Sequence, residues 1–460
     1  MTARPVHPRI AQFARGVSRR RPWYVAALGV ISLACCLLSG LVACSPVDKV
    51  FPPSESSPVA DPPATQRTRA TPVATIAGPP ASTPIAPITG LAPERTLLFV
   101  SDRDGQIDLY LTDIVSRAVW RLTNDAAIES FPAWSPDGTT IAYVVEDQRA
   151  VRNLWLLDLR DGIHRQITHE EPPFDVRRPA WLRGGRALIY DTGKPFDRRP
   201  ELRAITITGQ PLAPLLPDSG SVILDWDTDG ATLICAVVSN LGQPRIVVAD
   251  AVPGERLRPD QDALIGFDVH LSPNGLYATY SAPPLSDDQI TYVLTLATGE
   301  TYPINDRVRR STGAIENVTG RRYEHDFAWL PDSRRLVFVH GTGGVTDGQG
   351  KLKLGNAPLP LADGLVGLWL TDRTKSVEER RRDQLTTGTA DAAPRPSLDG
   401  RWIAFLTDTQ ESTAVESNIW IIAVNAAEGH APEEYNLTAG EGNNWAPTWM
   451  PLPVTDPAGS

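Results

Sequence analysis

From residue 94 onward the chain repeats itself, and a repeat of this kind leaves few folds open. Laid against itself, the sequence aligns Trp134-Ser-Pro-Asp-Gly138, Trp181-Leu-Arg-Gly-Gly185, Trp226-Asp-Thr-Asp-Gly230, Leu271-Ser-Pro-Asn-Gly275, Trp329-Leu-Pro-Asp-Ser333, Pro396-Ser-Leu-Asp-Gly400 and Trp449-Met-Pro. The intervals are 47, 45, 45, 58, 67 and 53 residues. Nearly every unit opens on an apolar residue and runs into turn chemistry, with Pro fixing φ and Asp-Gly or Asn-Gly accepting positive φ, as a tight hairpin requires.

Three further columns follow the first. Short β-rich runs come directly after the turns, as in Ile141-Ala-Tyr-Val-Val, Leu276-Tyr-Ala-Thr-Tyr and Trp402-Ile-Ala-Phe-Leu, and Thr96-Leu-Leu-Phe-Val belongs with them although no turn precedes it. A third column contains Asp108-Leu-Tyr-Leu-Thr-Asp113, Asn153-Leu-Trp-Leu-Leu-Asp158, Arg245-Ile-Val-Val-Ala-Asp250, Gly367-Leu-Trp-Leu-Thr-Asp372 and Asn418-Ile-Trp-Ile-Ile-Ala423. The fourth reads Arg121-Leu-Thr, Gln166-Ile-Thr, Gln384-Leu-Thr and Asn436-Leu-Thr. Four short strands per ~45 residues is the period of a β-propeller blade. The first unit lacks its first strand and Asn443 to Met450 supplies an orphan one, so pairing the two ends closes the ring and removes the free sheet edges. The sequence therefore predicts an all-β, seven-bladed propeller over residues 94–451. The third and fourth blades are irregular, with Arg203 in place of an aromatic and no clear fourth strand after Thr208 or Pro253, which keeps six or eight blades open as alternatives.

These motifs resemble the WD-like repeats of the TolB family of bacterial envelope propellers. The resemblance covers nearly the whole repeat region. It implies an envelope protein that binds other proteins, and it carries no catalytic residue onto this chain.

Composition agrees with such a fold. The 460 residues include 42 Pro and only 2 Met, which disfavours long helices. The formal charge of −10 argues against a nucleic-acid binder. Residues 1–43 hold six arginines and no acid, leaving about −16 on the rest. After Arg21 an uncharged run from Trp23 to Ala43 completes the layout of a secretory signal, and Leu41-Val-Ala-Cys44 resembles a bacterial lipobox. Residues 1–43 are thus expected to be a signal peptide, with Cys44 lipidated on the outer side of the cytoplasmic membrane. An uncleaved membrane anchor is the alternative, and both readings export the remainder. Residues 44–93 carry 12 prolines among Ser, Thr and Ala, and read as a tether reaching at most roughly 150 Å. Residues 452–460 read as a tail. Of the four cysteines only Cys235 lies in the folded part, where a buried apolar role fits it.

No catalytic motif accompanies the repeats. Some peptidases carry similar propellers beside an α/β-hydrolase unit, but the G-x-S-x-G elbow of such a unit is missing. Asp102-Arg-Asp-Gly-Gln-Ile-Asp108 has oxygen ligands at alternating positions, yet it falls where two strands must be joined and reads as a hairpin turn. No cofactor or metal is expected. Most tryptophans share repeat columns and read as packing anchors between blades, Trp445 being the exception.

In a four-stranded meander the connections from strand two to three and from strand four to the next blade leave the same face. The longest of them carry Arg307, Arg309, Arg310, Arg321 and Arg322, together with Lys194, Arg198 and Arg199, a basic set on an acidic body that reads as candidate docking loops. The inner strands begin on that face, so Glu129, Arg178, Glu324, His325, Asp326, Arg395, Asn444 and Trp445 are expected around the mouth of the central channel. The expectation is a monomeric, non-enzymatic module that binds a protein or peptide. The alternative is a small-molecule or glycan sensor, or a hydrolase, built on the channel mouth, favoured if Arg178, His325 and Asn444 converge.

Overall fold

The Ser-Pro-Asp-Gly turns close by one repeated network. Ser135 Oγ donates to Asp137 Oδ1 at 2.6 Å and accepts from Thr140 N at 2.9 Å, and Gly138 N, at φ 70°, donates to Ser135 O. Ser272 with Asn274 and Ser397 with Asp399 repeat the arrangement. The threonine of the fourth column has an equally local task. Its hydroxyl accepts the N–H at the start of its own blade's third strand: Leu109 to Thr123, Leu154 to Thr168, Leu368 to Thr386 and Ile419 to Thr438, at 2.7–2.9 Å. Both motifs recur because each satisfies backbone groups that a short strand leaves open.

The computed structural model describes residues 85–452, apart from 173–174, 194–200, 218–220, 239–241, 258–263, 283–289, 305–323, 341–344, 347–351, 354–366, 376–381, 389–390, 409–416 and 425–432. The expected signal segment, Cys44 and most of the expected tether lie outside these residues. Among them no helix is long and apolar enough to cross a membrane.

The strands form seven blades in a ring. Blade one is Thr96–Ser101, Asp108–Asp113 and Val119–Arg121, completed on its inner side by Asn444–Trp449. That last strand runs antiparallel to the first, with Leu97 opposite Trp449 and Ser101 opposite Asn444. The expected closure is therefore present. Blade two runs from Ile128–Trp134 to Ile163–Gln166, blade three from Asp175–Trp181 to Pro211–Pro217, blade five from Phe267–Leu271 to Thr301–Pro303, blade six from Glu324–Trp329 to Arg382–Gln384, and blade seven from Ala392–Pro396 to Glu434–Asn436.

Blade four is the irregular one. Val222–Thr228, Thr232–Val238 and Arg245–Asp250 form three strands, and the fourth position is reduced to a bridge between Arg245 and Ile265. Arg256–Leu257, which follows Pro253, pairs in parallel with the outer strand of blade three instead. Leu257 is fully buried there beside Leu215. Burial of that leucine on blade three explains why no fourth-strand signal stands out for blade four.

Apolar side chains fill the spaces between neighbouring sheets, and Cys235 lies among them, fully buried, with burial pushing its thiol pKa up. Residues 85–93, expected to be tether, pack on the ring. Ile85 N donates to Gly162 O and Ile88 N to Leu159 O, each at 3.1 Å, while Ile85, Ile88 and Leu91 cover the cluster around Leu159. The apolar Ile85, Ile88 and Leu91 at three-residue spacing are what a spacer lacks.

Candidate functional site

Seven inner strands line the ring axis, and six of them share a kink. Phe131, Arg178, Asp268, Asp326, Ala393 and Ala446 have φ between 39° and 55°, each three residues before the first-column residue of its blade. In each case the pairing with the neighbouring strand slips by one residue at that point. These are β-bulges, in which an extra residue bends the strand and re-aims its side chain. In four blades a proline follows the bulge (Pro132, Pro179, Pro394, Pro447), where no N–H is available for a ladder.

An inner strand is also a sheet edge, so its axis-side N–H groups need partners from the adjoining blade. Tryptophan and aspartate supply the links. Trp134, Trp181, Trp329 and Trp449 donate their indole N–H to the carbonyls of Thr448, Ala133, His270 and Arg395, at 3.4, 3.1, 3.3 and 2.7 Å. The acceptor is each time the residue just before the first column in the preceding inner strand. Asp225 and Asp227 accept from Val269 N and Leu271 N, at 3.1 and 2.8 Å, and Asp326 accepts from Ala393 N at 3.0 Å. Trp134, Trp181, Trp329 and Trp449 are thus interblade anchors, as their column suggested.

Of the expected mouth residues, Arg178, Asp326 and Arg395 carry charge toward the axis. Arg178 bonds Asp225 at 2.9 Å and Asp191 at 3.4 Å and lies over the Trp226 ring. Glu324 and His325 belong to the blade-six inner strand, but their side chains lie outside the described set. The other three are not at an open mouth. Glu129 is fully buried, accepts from Thr123 Oγ1 at 3.1 Å, and has its pKa pushed up to about 9 by burial, with help from Asp125 and Asp108. Asn444 is fully buried too, accepting from Arg103 Nη2 at 3.0 Å and donating to Gly442 O at 2.9 Å. Trp445 is in the core of blade one. The reason is common to Asn444 and Trp445: the Asp102–Asp108 turn folds over the start of the closing strand. Its acids are all engaged, Asp102 with Asn443, Asp104 with Tyr110 and Asp108 with Arg121. Arg178 and Asn444 do not converge. The expected docking residues Lys194, Arg198, Arg199, Arg307, Arg309, Arg310, Arg321 and Arg322 lie outside the described residues.

The axis also holds groups that the sequence reading missed: Asp225, Asp227, Asp268 and His270. Asp268 bonds His270 Nε2 at 3.3 Å. Burial disfavours the charged ring, but that bond and the fields of Asp268, Asp227 and Asp225 prevail and bring His270 up to about 9. Burial raises the pKa of Asp227. A signal was available, because the position before the first column is alanine in blades two, three and six (Ala133, Ala180, Ala328) but Asp225, His270 and Arg395 in blades four, five and seven. Away from the axis, a cleft of about 160 Å³ on the blade-two edge is lined by Asn153, Trp155, His169 and Glu170. Glu170 there is held by Arg203 at 2.8 Å. Among the described residues no group of His, Cys, Asp and Glu is placed to hold a metal ion.

Residues 103–177 match the family model of the dipeptidyl peptidase IV N-terminal region. A 93-residue stretch is 30% identical to the Protein TolB homolog of Chlorobaculum tepidum; it covers 20% of this chain, and only about a fifth of the relative's length. TolB from Acinetobacter baumannii superposes with a TM-score of 0.45 at 14% identity, covering 78% of this chain and 67% of that one. The propeller domain of the Trilobed protease from Pyrococcus furiosus gives 0.48 at 14% identity, over 78% and 98%. The oligogalacturonate lyase of Vibrio parahaemolyticus gives 0.47 at 13%, over 75% and 86%. Likeness at this level concerns fold, and activity has to be argued from the site.

Proposed function

We propose that this chain is a TolB-like propeller working outside the cytoplasm, tethered to the membrane through Cys44, and that it acts by binding a protein or peptide rather than by catalysis. The observation that carries this reading is the state of the axial carboxylates. Asp225, Asp227, Asp268 and Asp326 are each tied to a neighbouring strand's N–H or to a cation. A general base or nucleophile needs a carboxylate or hydroxyl poised toward an open position, whereas these groups brace the ring. A braced ring is a rigid frame, and long connections on a rigid frame are where recognition tends to reside. The connections at 304–323 and 341–366 are the longest in the ring, and they join strands at the face where the inner strands start. The local likeness to a TolB homolog points the same way.

Crosslinking in the native membrane followed by mass spectrometry tests the proposal. The expected result is one enriched protein partner, lost when Arg309→Glu and Arg310→Glu are combined. Enrichment of no protein would overturn it.

A further inference from the structure

We propose that the ring axis contains a binding site for a carboxylate group, anchored by the guanidinium of Arg395. Arg395 is the exposed residue of an inner strand whose first three residues are buried. Its backbone is fixed, because its carbonyl accepts the Trp449 indole N–H at 2.7 Å. Its charge interacts with Asp326 in blade six and with Asp227 in blade four. A blade-seven side chain reaches the field of blade four only across the axis, so the guanidinium points into the channel.

What sets Arg395 apart is its lack of a counter-ion among the described residues. Arg178, the other axial arginine, bonds two carboxylates. Arg395 makes one side-chain hydrogen bond, to Pro394 O at 3.0 Å, and no ion pair among the described residues. Solvent reaches the side chain, but the surrounding walls of the ring still desolvate it and pull its pKa down despite the two aspartates. The acids nearby are already committed: Asp227 accepts from Leu271 N and Thr228 N, and Asp326 from Ala393 N. A guanidinium presents a planar fork that a carboxylate fills with two parallel bonds, more strongly in a walled channel than in water.

The adjoining sector of the ring suits the rest of such a ligand. Blades one and two place Ala446, Thr448, Phe131 and Ala133 at the positions where the other blades carry charge. The group recognised is thus a carboxylate on an otherwise uncharged body, either a free organic acid or an acidic side chain of a partner peptide. This site lies apart from the long connections of the preceding reading and goes beyond it.

The test is calorimetric titration of the full chain at constant ionic strength with N-acetyl-glutamate α-methylamide, and with a nonapeptide carrying one central glutamate. The glutamine forms of both serve as neutral controls. Saturable binding of a glutamate probe is expected, weakened at least about tenfold by the glutamine exchange and by Arg395→Gln. Should Arg395→Gln not fold, Arg395→Lys, which keeps the charge but not the fork, is expected to weaken binding while leaving the melting transition in place. Equal affinity for both glutamate probes identifies a free acid as the source, and binding of the peptide alone identifies a partner segment. Failure of both probes to saturate, or unchanged affinity in a folded Arg395 variant, overturns the site. A partner captured by crosslinking would survive that failure, and carboxylate binding with no captured partner would overturn only the partner reading.

Discussion

Asn443 donates its backbone N–H and its side-chain amide to the two carboxylate oxygens of Asp102, at 2.6 and 2.8 Å. Asp102 N returns a bond to Asn443 O at 3.1 Å. The pair stands at the junction between the first hairpin of the ring and its last strand. Beside it Arg103 bonds Glu441 at 2.7 Å and Asn444 at 3.0 Å while lying against Phe99 and Tyr110. The closure is therefore carried by a polar clamp in addition to the strand ladder. Asp102→Ala leaves two donors of Asn443 without their acceptor and is expected to destabilise the fold by about 1–3 kcal/mol. Urea denaturation measures this, and faster amide exchange in Thr96–Ser101 than in Thr232–Val238 locates it.

The tryptophan anchors differ in a way that mutation can read. Trp449 Nε1 has a carbonyl partner, whereas the buried Trp226 Nε1 has none among the described residues. Trp449→Phe loses a hydrogen bond and strands the Arg395 carbonyl, while Trp226→Phe removes a donor that is already unsatisfied. The first is expected to cost about 1 kcal/mol more than the second in paired denaturation curves.

Glu129 makes stability depend on pH. Its folded pKa, pushed up to about 9 from an ordinary 4.5 by burial, means that the folded state holds a proton the unfolded chain releases. Stability tied to this group is full below 4.5 and declines as pH rises toward 9. Glu129→Gln keeps the shape without the ionisation, so melting temperatures of variant and parent should nearly coincide near pH 4, with the variant higher near pH 8.

His270 contributes through the opposite kind of group with the same slope. Its folded pKa of about 9 exceeds the ordinary 6.5, so its pairing with Asp268 stabilises fully below 6.5 and is lost as pH rises through 9. Asp268→Asn removes the main support for that charge. The nitrogen-15 shifts of the His270 ring should then titrate well below the parent value; an unchanged titration would assign the support elsewhere.

Gly162 holds the segment that leads into the ring. Its φ is 69°, and a Cβ there would stand 1.9 Å from Ile85 O. Gly162→Ala is expected to release residues 85–91 without opening the blades, at a cost of about 1–2 kcal/mol for the left-handed conformation alone. Limited proteolysis should then cut within 85–91 in the variant and spare it in the parent.

The sequence made the ring readable because its repeats encode local necessities. Ser135 and Thr123 recur wherever a turn or a strand start needs their hydroxyl, so the columns marked hairpins and blades together. Closure by Asn444–Trp449 could be read for the same reason, since an unmatched strand at each end has one economical solution. The axis was harder. Which residues face it is decided by the bulges at Arg178, Asp268 and Asp326, and a bulge changes side-chain direction without leaving a fixed residue type behind. Counting from strand starts therefore picked Glu129, Asn444 and Trp445, which neighbouring elements cover, and passed over Asp225 and His270. Blade four misled for a different reason: Leu257 finds better burial on blade three than a place in its own blade.

The central claim, recognition of a partner at the face where the inner strands begin, is tested most directly by placing a photo-crosslinking residue at two exposed positions in living cells. Glu171, in the connection leading to the blade-three inner strand, lies on that face, and Ile163, after the third-to-fourth strand turn of blade two, lies on the opposite one. The account predicts a discrete protein adduct from position 171 and none from position 163. Adducts from 163 alone, or from neither position, would contradict it.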